Sequence, residues 1–381
     1  MDIMTYLGYL KPRYLTADQK LLYTLYTFFV TIGLCILDLL TGINQVFIES
    51  DIEKVTNILF VFLAKVILLI KLFPIQRSQN KILDIIHVNR PEFFPDDDEQ
   101  KKIFLKAVMF QRRVTILFHL MGIVATLTMC FFPFIDPGMS GKLPFSSWYP
   151  FEVEAAPRYQ IIYTYQTVCL LFMSLADVAT DMLISGLLMV ASNQLEILRY
   201  QIVNIKTVAV ENFDKGTFKD FDEAMMKGLV SCIRHYNCIL KFADEVNEIF
   251  SGPLFFLFFL GVGATGLTLF QFILTPILTV EFFSIAIYQA CVLLEVFLYC
   301  FYGNSIMVQS DAITNAIYQC GWEDGSLQFK KDVNRFMIRT QKPYCMYAGN
   351  FFLMSLPNFI LILKWSWSYF TLLHRIHEKG E

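Results

Sequence analysis

Apolar residues along this chain gather into long runs separated by short charged stretches, and seven of these runs approach the roughly 20 residues a helix needs to cross a hydrocarbon core. They are Leu21–Ile48, Val55–Phe73, Val114–Ile135, Ile161–Leu198, Pro253–Leu274, Pro276–Tyr302 and Tyr347–Leu373. The fourth ends in Ser192, Asn193, Gln194, Glu196 and Arg199, where its helix should leave lipid. Outside the runs the period changes. Phe221, Met225, Leu229, Cys232, Tyr236, Ile239, Ala243, Val246 and Phe250 recur every three or four residues, one face of a helix that continues into the fifth run. A second amphipathic helix is predicted over Leu327–Thr340, with Phe329, Val333, Phe336 and Met337 on one side and Lys330, Lys331, Asn334 and Arg335 on the other. It stops before Pro343. Each stripe either packs within one subunit or forms a base where subunits meet.

The pattern predicts an all-α, seven-transmembrane helical membrane protein. It divides the chain into an amino-terminal segment 1–20, six spans with their loops over 21–302, a connecting anchor 303–346, a seventh span within 347–373 and a tail 374–381. Composition agrees, since 55% of the 381 residues are hydrophobic and 17% charged, with 38 Phe and 18 Tyr. A soluble domain of this length is normally far less apolar. The net charge of -3 exerts no overall pull toward nucleic acid, so the placement of charges is more informative than their sum.

Between the second and third runs lie Lys71, Arg77, Lys81, Arg90, Lys101, Lys102, Lys106, Arg112 and Arg113, whereas the first connection sets Lys54 among Glu49, Asp51 and Glu53. The positive-inside rule makes the basic connection cytoplasmic. The amino terminus, with Lys11, Arg13 and Lys20, is then intracellular, and seven spans put the carboxyl terminus outside. Phe134–Tyr159, whose basic residues are Lys142 and Arg158, reads as an exterior loop. No charged leader with a short apolar stretch and a cleavage site opens the chain, so no removable signal peptide is expected.

This orientation argues against a G-protein-coupled receptor, whose amino terminus lies outside, and Pro357-Asn358 reverses the NPxxY order of such receptors. No matching pair of Gly/Pro-broken spans suggests the inverted repeats of a transporter. Nothing points to an enzyme, a cofactor or a metal. His87, His119, His235, His374 and His377 make no HExxH set, and neither a GxxxxGK[ST] nor a GxSxG motif occurs. The nine cysteines sit mostly in spans, where they read as small apolar residues rather than a disulfide framework.

One residue stands out against the last run: Lys364, followed by Trp365-Ser366-Trp367-Ser368-Tyr369-Phe370. A lysine near the centre of a span costs roughly 2.5 to 3.5 kcal/mol on insertion, so it faces protein or a watery path, or snorkels.

Residues after the sixth run carry a resemblance. Gly303-Asn304, Ser310 to Ala316, Tyr318 and Trp322 are followed by Phe329-Lys330-Lys331, Arg339, Gln341-Lys342-Pro343, Ala348-Gly349 and Phe351-Phe352. Ser355-Leu356, Lys364 and Ser366-Trp367-Ser368-Tyr369-Phe370-Thr371-Leu372-Leu373 complete a set that resembles the carboxyl-terminal signature of insect odorant receptors. Gustatory receptors, the related branch, end in TYxxxxxQF, and Tyr369 here is preceded by Ser368 and lacks the Gln-Phe.

The resemblance implies a ligand-gated nonselective cation channel, a heterotetramer with a shared odorant co-receptor, in the plasma membrane of olfactory neuron dendrites. The co-receptor has a long insertion between its fourth and fifth spans, whereas Tyr200 to Asp220 is short, so the chain looks like the odorant-tuning subunit. A gustatory-type homomeric channel and, further off, a transporter remain as alternatives.

The same resemblance makes the seventh span the pore lining, with a hydrophobic gate at Leu372 and Ile376. Lys364, Ser368, Leu372 and Ile376 recur every four residues and share a helix face. Because the family conducts cations, Lys364 is expected to brace the pore helix rather than to face the ions, and Pro357 is expected to kink it. The family's odorant pocket, carried over span by span, falls on Phe60, Phe62, Ala125, Thr126, Met129, Leu170, Met173, Phe283, Ile287 and Tyr288. Such a pocket holds a small volatile, aromatic ones included, mainly by apolar burial. Trp322, Phe336, Arg339 and Tyr344 are the expected subunit contacts, and membrane lipid covers the rest.

Overall fold

Local signals set the helix starts. Thr16 opens the helix Ala17–Val30 with a capping box: its hydroxyl accepts from the Gln19 N–H, and the Gln19 side chain accepts from the Thr16 N–H. Asp220, Thr279 and Ser326 each cap a later helix through the side-chain oxygen. The computed structural model describes residues 2–12, 16–49, 52–87, 90–95, 97–135, 143–153, 157–218, 220–277 and 279–380. Arg13, Asp51 and Lys142, used above for orientation, lie outside the described residues.

The chain is helical almost throughout. A short α1 (Asp2–Tyr6) precedes α2 (Ala17–Val30), which passes through a π turn at Thr31–Ile36 into α3 (Leu37–Ile48). Then come α4 (Ile52–Arg77), α5 (Gln79–His87), α6 (Asp98–Ile135), α7 (Arg158–Val203), α8 (Ile205–Asp214), α9 (Phe221–Leu274), α10 (Val280–Tyr318) and α11 (Leu327–Thr340). A two-stranded hairpin, β1 (Tyr347–Ala348) and β2 (Phe352–Leu353), leads into α12 (Leu356–Gly380). Among the described residues, six helical segments are long and apolar enough to cross a membrane, one for each of the first six runs. The seventh run falls short because Lys364, Ser366 and Ser368 dilute its apolar content.

The seventh run also holds two elements rather than one. Ala348-Gly349-Asn350-Phe351 is a tight turn, closed by the Phe351 N–H donating to the Ala348 carbonyl, in which Gly349 (φ 60°) and Asn350 (φ 62°) are both left-handed; Ala348 pairs with Phe352 across it. Gly349 also admits the Phe255 ring, which a Cβ would strike at 2.7 Å. The helix therefore starts at Leu356, nine residues later than hydropathy places it, and continues to Gly380 through the segment read as a tail. Pro357 lies in its first turn, where the missing N–H costs nothing, so it starts the helix instead of kinking it.

Four helices outrun any bilayer, among them α6 with 38 residues or about 57 Å. At 1.5 Å per residue the 54 residues of α9 extend roughly 80 Å, the 46 of α7 about 70 Å and the 39 of α10 about 60 Å. Their excess lengths meet at one end of the bundle, with α8 and α11 packed against them. There His235 of α9 sits between Gln194 and Gln201 of α7, at 2.9 Å from each side-chain oxygen, and Thr314 of α10 donates to Thr340 at the end of α11.

This end absorbs two of the expected subunit contacts. Phe336 is 3% exposed and packs edge-on against Tyr236, which is the inward stripe of α11 meeting the inward stripe of α9. The Tyr344 hydroxyl donates to Asp244 at 2.7 Å; burial, and then that carboxylate, hold its phenol above the ordinary tyrosine range. Both side chains thus have partners within their own subunit. Trp322 is half-buried against Tyr318, and Arg339 alone of the four points into solvent.

Candidate functional site

The bundle encloses a cavity of about 140 Å³ between α4, α6, α7, α9 and α10. Seven of the ten residues expected to form a pocket line it: Phe60, Ala125, Thr126, Met129, Leu170, Met173 and Tyr288. The other three point elsewhere. Phe62 is two positions past Phe60, on another side of α4, and lines a separate small recess with Gly42 and Phe145. Phe283 is 49% exposed and rests edge-on against Phe282, and Ile287, next to Tyr288, does not reach the cavity. One wall was absent from the sequence reading: α9 contributes Leu257, Gly261 and Ala264.

More important, the cavity is not purely apolar. Lys65, Asp177 and Glu295 are on its surface. Lys65 is 2.5 Å from Asp38 of α3 and lies 4.2 Å from the centre of the Phe145 ring. Farther along α4, the ammonium of Lys71 is completely buried. It is 2.8 Å from Asp181 Oδ1 and 2.8 Å from Glu295 Oε1, and it also pairs with Asp177. Tyr299 donates to the same Asp181 oxygen at 2.6 Å.

Lys71 was counted above among loop charges that orient the chain, and that placement is corrected here: it is a core residue, fixed by α7 and α10. The signal that would have found the cluster was present. Asp38, Lys65, Asp177, Asp181 and Glu295 all interrupt apolar runs just as Lys364 does, and charges in such places mark internal contacts.

The expected pore residues form a contrasting surface. Lys364, Ser368, Leu372 and Ile376 lie together on the exposed face of α12, with Leu372 55% and Ile376 50% exposed. Lys364 is exposed and makes no ion pair among the described residues. The opposite face is packed: Ile362 and Ser366 are buried, and Tyr369 lies so close to Gly266 of α9 that a Cβ there would overlap its ring.

Between cavity and α12 there is no gap. Phe60, Val61 and Leu267 form a buried apolar cluster joined by Met129 and Tyr288 on the cavity side and by Tyr369 and Leu373 on the α12 side. The Phe60 and Tyr288 rings are 5.4 Å apart.

A family model described as 7tm odorant receptor matches residues 51–367. Odorant receptor 2a of Drosophila melanogaster is 25% identical over 244 residues, 61% of this chain and 60% of that protein. Odorant receptor 46a, isoform A, of the same species is 22% identical over 356 residues, covering 93% and 91% of the two chains. In fold the chain is similar to the insect olfactory receptor OR5 from Machilis hrabei, solved in complex with eugenol. The TM-score is 0.85 at 16% sequence identity, over 98% of this chain and 96% of that one.

Proposed function

The chain belongs to the 7tm odorant receptor family, and on that footing we propose that it is the odorant-binding subunit of a ligand-gated, nonselective cation channel. It assembles as a heterotetramer with an odorant co-receptor in the plasma membrane of an olfactory neuron's dendrite. Its amino terminus and the long-helix end of the bundle face the cytoplasm. A small volatile fills the cavity between α4, α6, α7, α9 and α10, and α12 lines the pore.

One observation carries this reading. The cavity wall and the inner face of α12 belong to one apolar cluster, through Phe60, Tyr288, Leu267, Tyr369 and Leu373, while the outer face of α12 presents a polar-to-apolar stripe that none of the described residues covers. A ligand that moves Phe60 or Tyr288 must displace close-packed neighbours, because packed interiors yield by discrete shifts. Tyr369 and Leu373 pass such a shift to the helix that bears Leu372 and Ile376. An apolar ring of these residues from several subunits blocks ions by dewetting when closed and conducts when widened. The Machilis hrabei receptor of the same fold was itself solved in complex with a small volatile, eugenol.

The test is expression in oocytes with and without the co-receptor, under a panel of volatiles. Odorant-evoked cation current from the pair, and none from either subunit alone, is expected. Silence from the pair despite surface delivery overturns the reading, as does a response lost on blocking G proteins. Robust current from the chain alone overturns the need for a co-receptor.

A further inference from the structure

The charges on the cavity are unbalanced. Lys65 and Asp38 form a one-to-one pair, but Lys71 is a single ammonium facing Asp177, Asp181 and Glu295, a formal excess of two negative charges. Among the described residues no other cation touches these carboxylates. Asp181 is fully buried and its second oxygen finds no hydrogen-bond partner, while Asp177 and Glu295 reach the cavity surface. A buried carboxylate without a counter-charge takes up a proton or attracts a cation. The same cavity presents the aromatic rings of Phe60, Phe118 and Tyr288, whose faces attract an ammonium. A metal ion at the three carboxylates is disfavoured, because Lys71 already occupies the place among them.

We infer that the cavity is specific for volatile amines, bound as protonated ammonium ions, with the charged head on Asp177 and Glu295 and the hydrocarbon part against the apolar wall. The inference rests on the odorant-receptor reading and names its ligand class. An aliphatic amine is protonated in neutral water, like the lysine side chain. Inside the cavity it supplies the positive charge the cluster lacks, whereas a carboxylic acid adds a fourth negative charge and a neutral alcohol leaves the imbalance as it was. Asp177 is the specificity-determining residue: it is the most accessible of the three carboxylates, at 35% side-chain exposure, and it stands on the cavity surface beside Lys71.

The experiment compares an amine, an alcohol and a carboxylic acid of one carbon skeleton on the receptor co-expressed with the co-receptor, with surface labelling to confirm delivery. The amine should act at a concentration at least tenfold below the alcohol, and the acid should be inactive. Asp177→Asn leaves the Asp181 and Glu295 contacts of Lys71 in place; it should raise the half-maximal amine concentration by about 10- to 100-fold, the worth of one hydrogen bond to a charged group, and shift the alcohol far less. Asp177→Glu should restore the preference. Equal potency of amine and alcohol, or an Asp177→Asn shift common to both, overturns the inference while leaving the odorant-receptor reading intact. Silence to all three classes and to the broader panel, with the protein at the surface, removes both.

Discussion

Two lysines, Lys71 and Lys364, interrupt apolar runs of this chain and end in opposite circumstances. Lys71 is fully buried among three carboxylates, one of which, Asp181, also accepts from Tyr299. Lys364 stands on the uncovered face of α12 with no ion pair among the described residues. A charge inside a membrane span is therefore two different signals. One kind ties helices of a single subunit together, since moving either partner away leaves a bare charge in a poor dielectric. The other stands on an exposed helix face, which on the proposed reading of α12 as the pore lining would border the space between subunits rather than lipid.

The sharpest break of this contrast is Lys71→Met. It leaves three carboxylates without their cation, and removing one partner of a buried ion pair costs about 3 to 5 kcal/mol. A large fall in the thermal midpoint and in the yield of detergent-extracted protein is expected; normal yield and midpoint would show that the cluster is not structural. Next in size is Gly266→Ala. The added methyl meets the Tyr369 ring and pushes α12 off α9. Evoked current should drop by roughly tenfold or more at saturating odorant, because a misplacement of about 1 Å in packed contacts is not absorbed elsewhere. Unchanged saturating current would mean that the α9–α12 contact does not transmit.

Leu372→Ala acts on the exposed stripe itself. Trimming the side chain widens an apolar constriction and favours wetting, so basal current without odorant should rise while protein yield stays as in the wild type. If leak and gating are both unaltered, the gate lies elsewhere. Lys364→Gln is the smallest change: stability should stay within about 0.5 kcal/mol, the usual range for an exposed position, and unitary cation conductance should rise if the ammonium faces the ion path. A midpoint shift as large as that of Lys71→Met would erase the distinction between the two lysines.

Much of the architecture was legible before any coordinates. Helix α11 has the ends its amphipathic pattern and Pro343 predicted, and α9 runs without a break from Phe221 to Leu274 as the stripe of apolar positions required. Both follow from short-range rules of period and capping. The start of α12 was missed, since a hydropathy window cannot tell Tyr347 to Leu353, an apolar hairpin held by Ser251 and Met354, from a turn of apolar helix. Ala348-Gly349-Asn350 held the turn signal. For the cavity, seven expected residues came together because they project from helices facing one centre, while Phe62 failed by two positions on its helix, about 200° of rotation.

The sequence by itself determined that this chain is a helical membrane protein with six strongly apolar spans and a more polar seventh, because hydrophobic burial and helical period are properties of neighbouring residues. It also held the signature of its family. Only the tertiary structure decided which charges meet. Lys71 and Asp181 are 110 positions apart, and Lys71 and Glu295 are 224 apart. Whether a lysine becomes a buried tie or stands on an exposed helix face depends on what the fold packs against it.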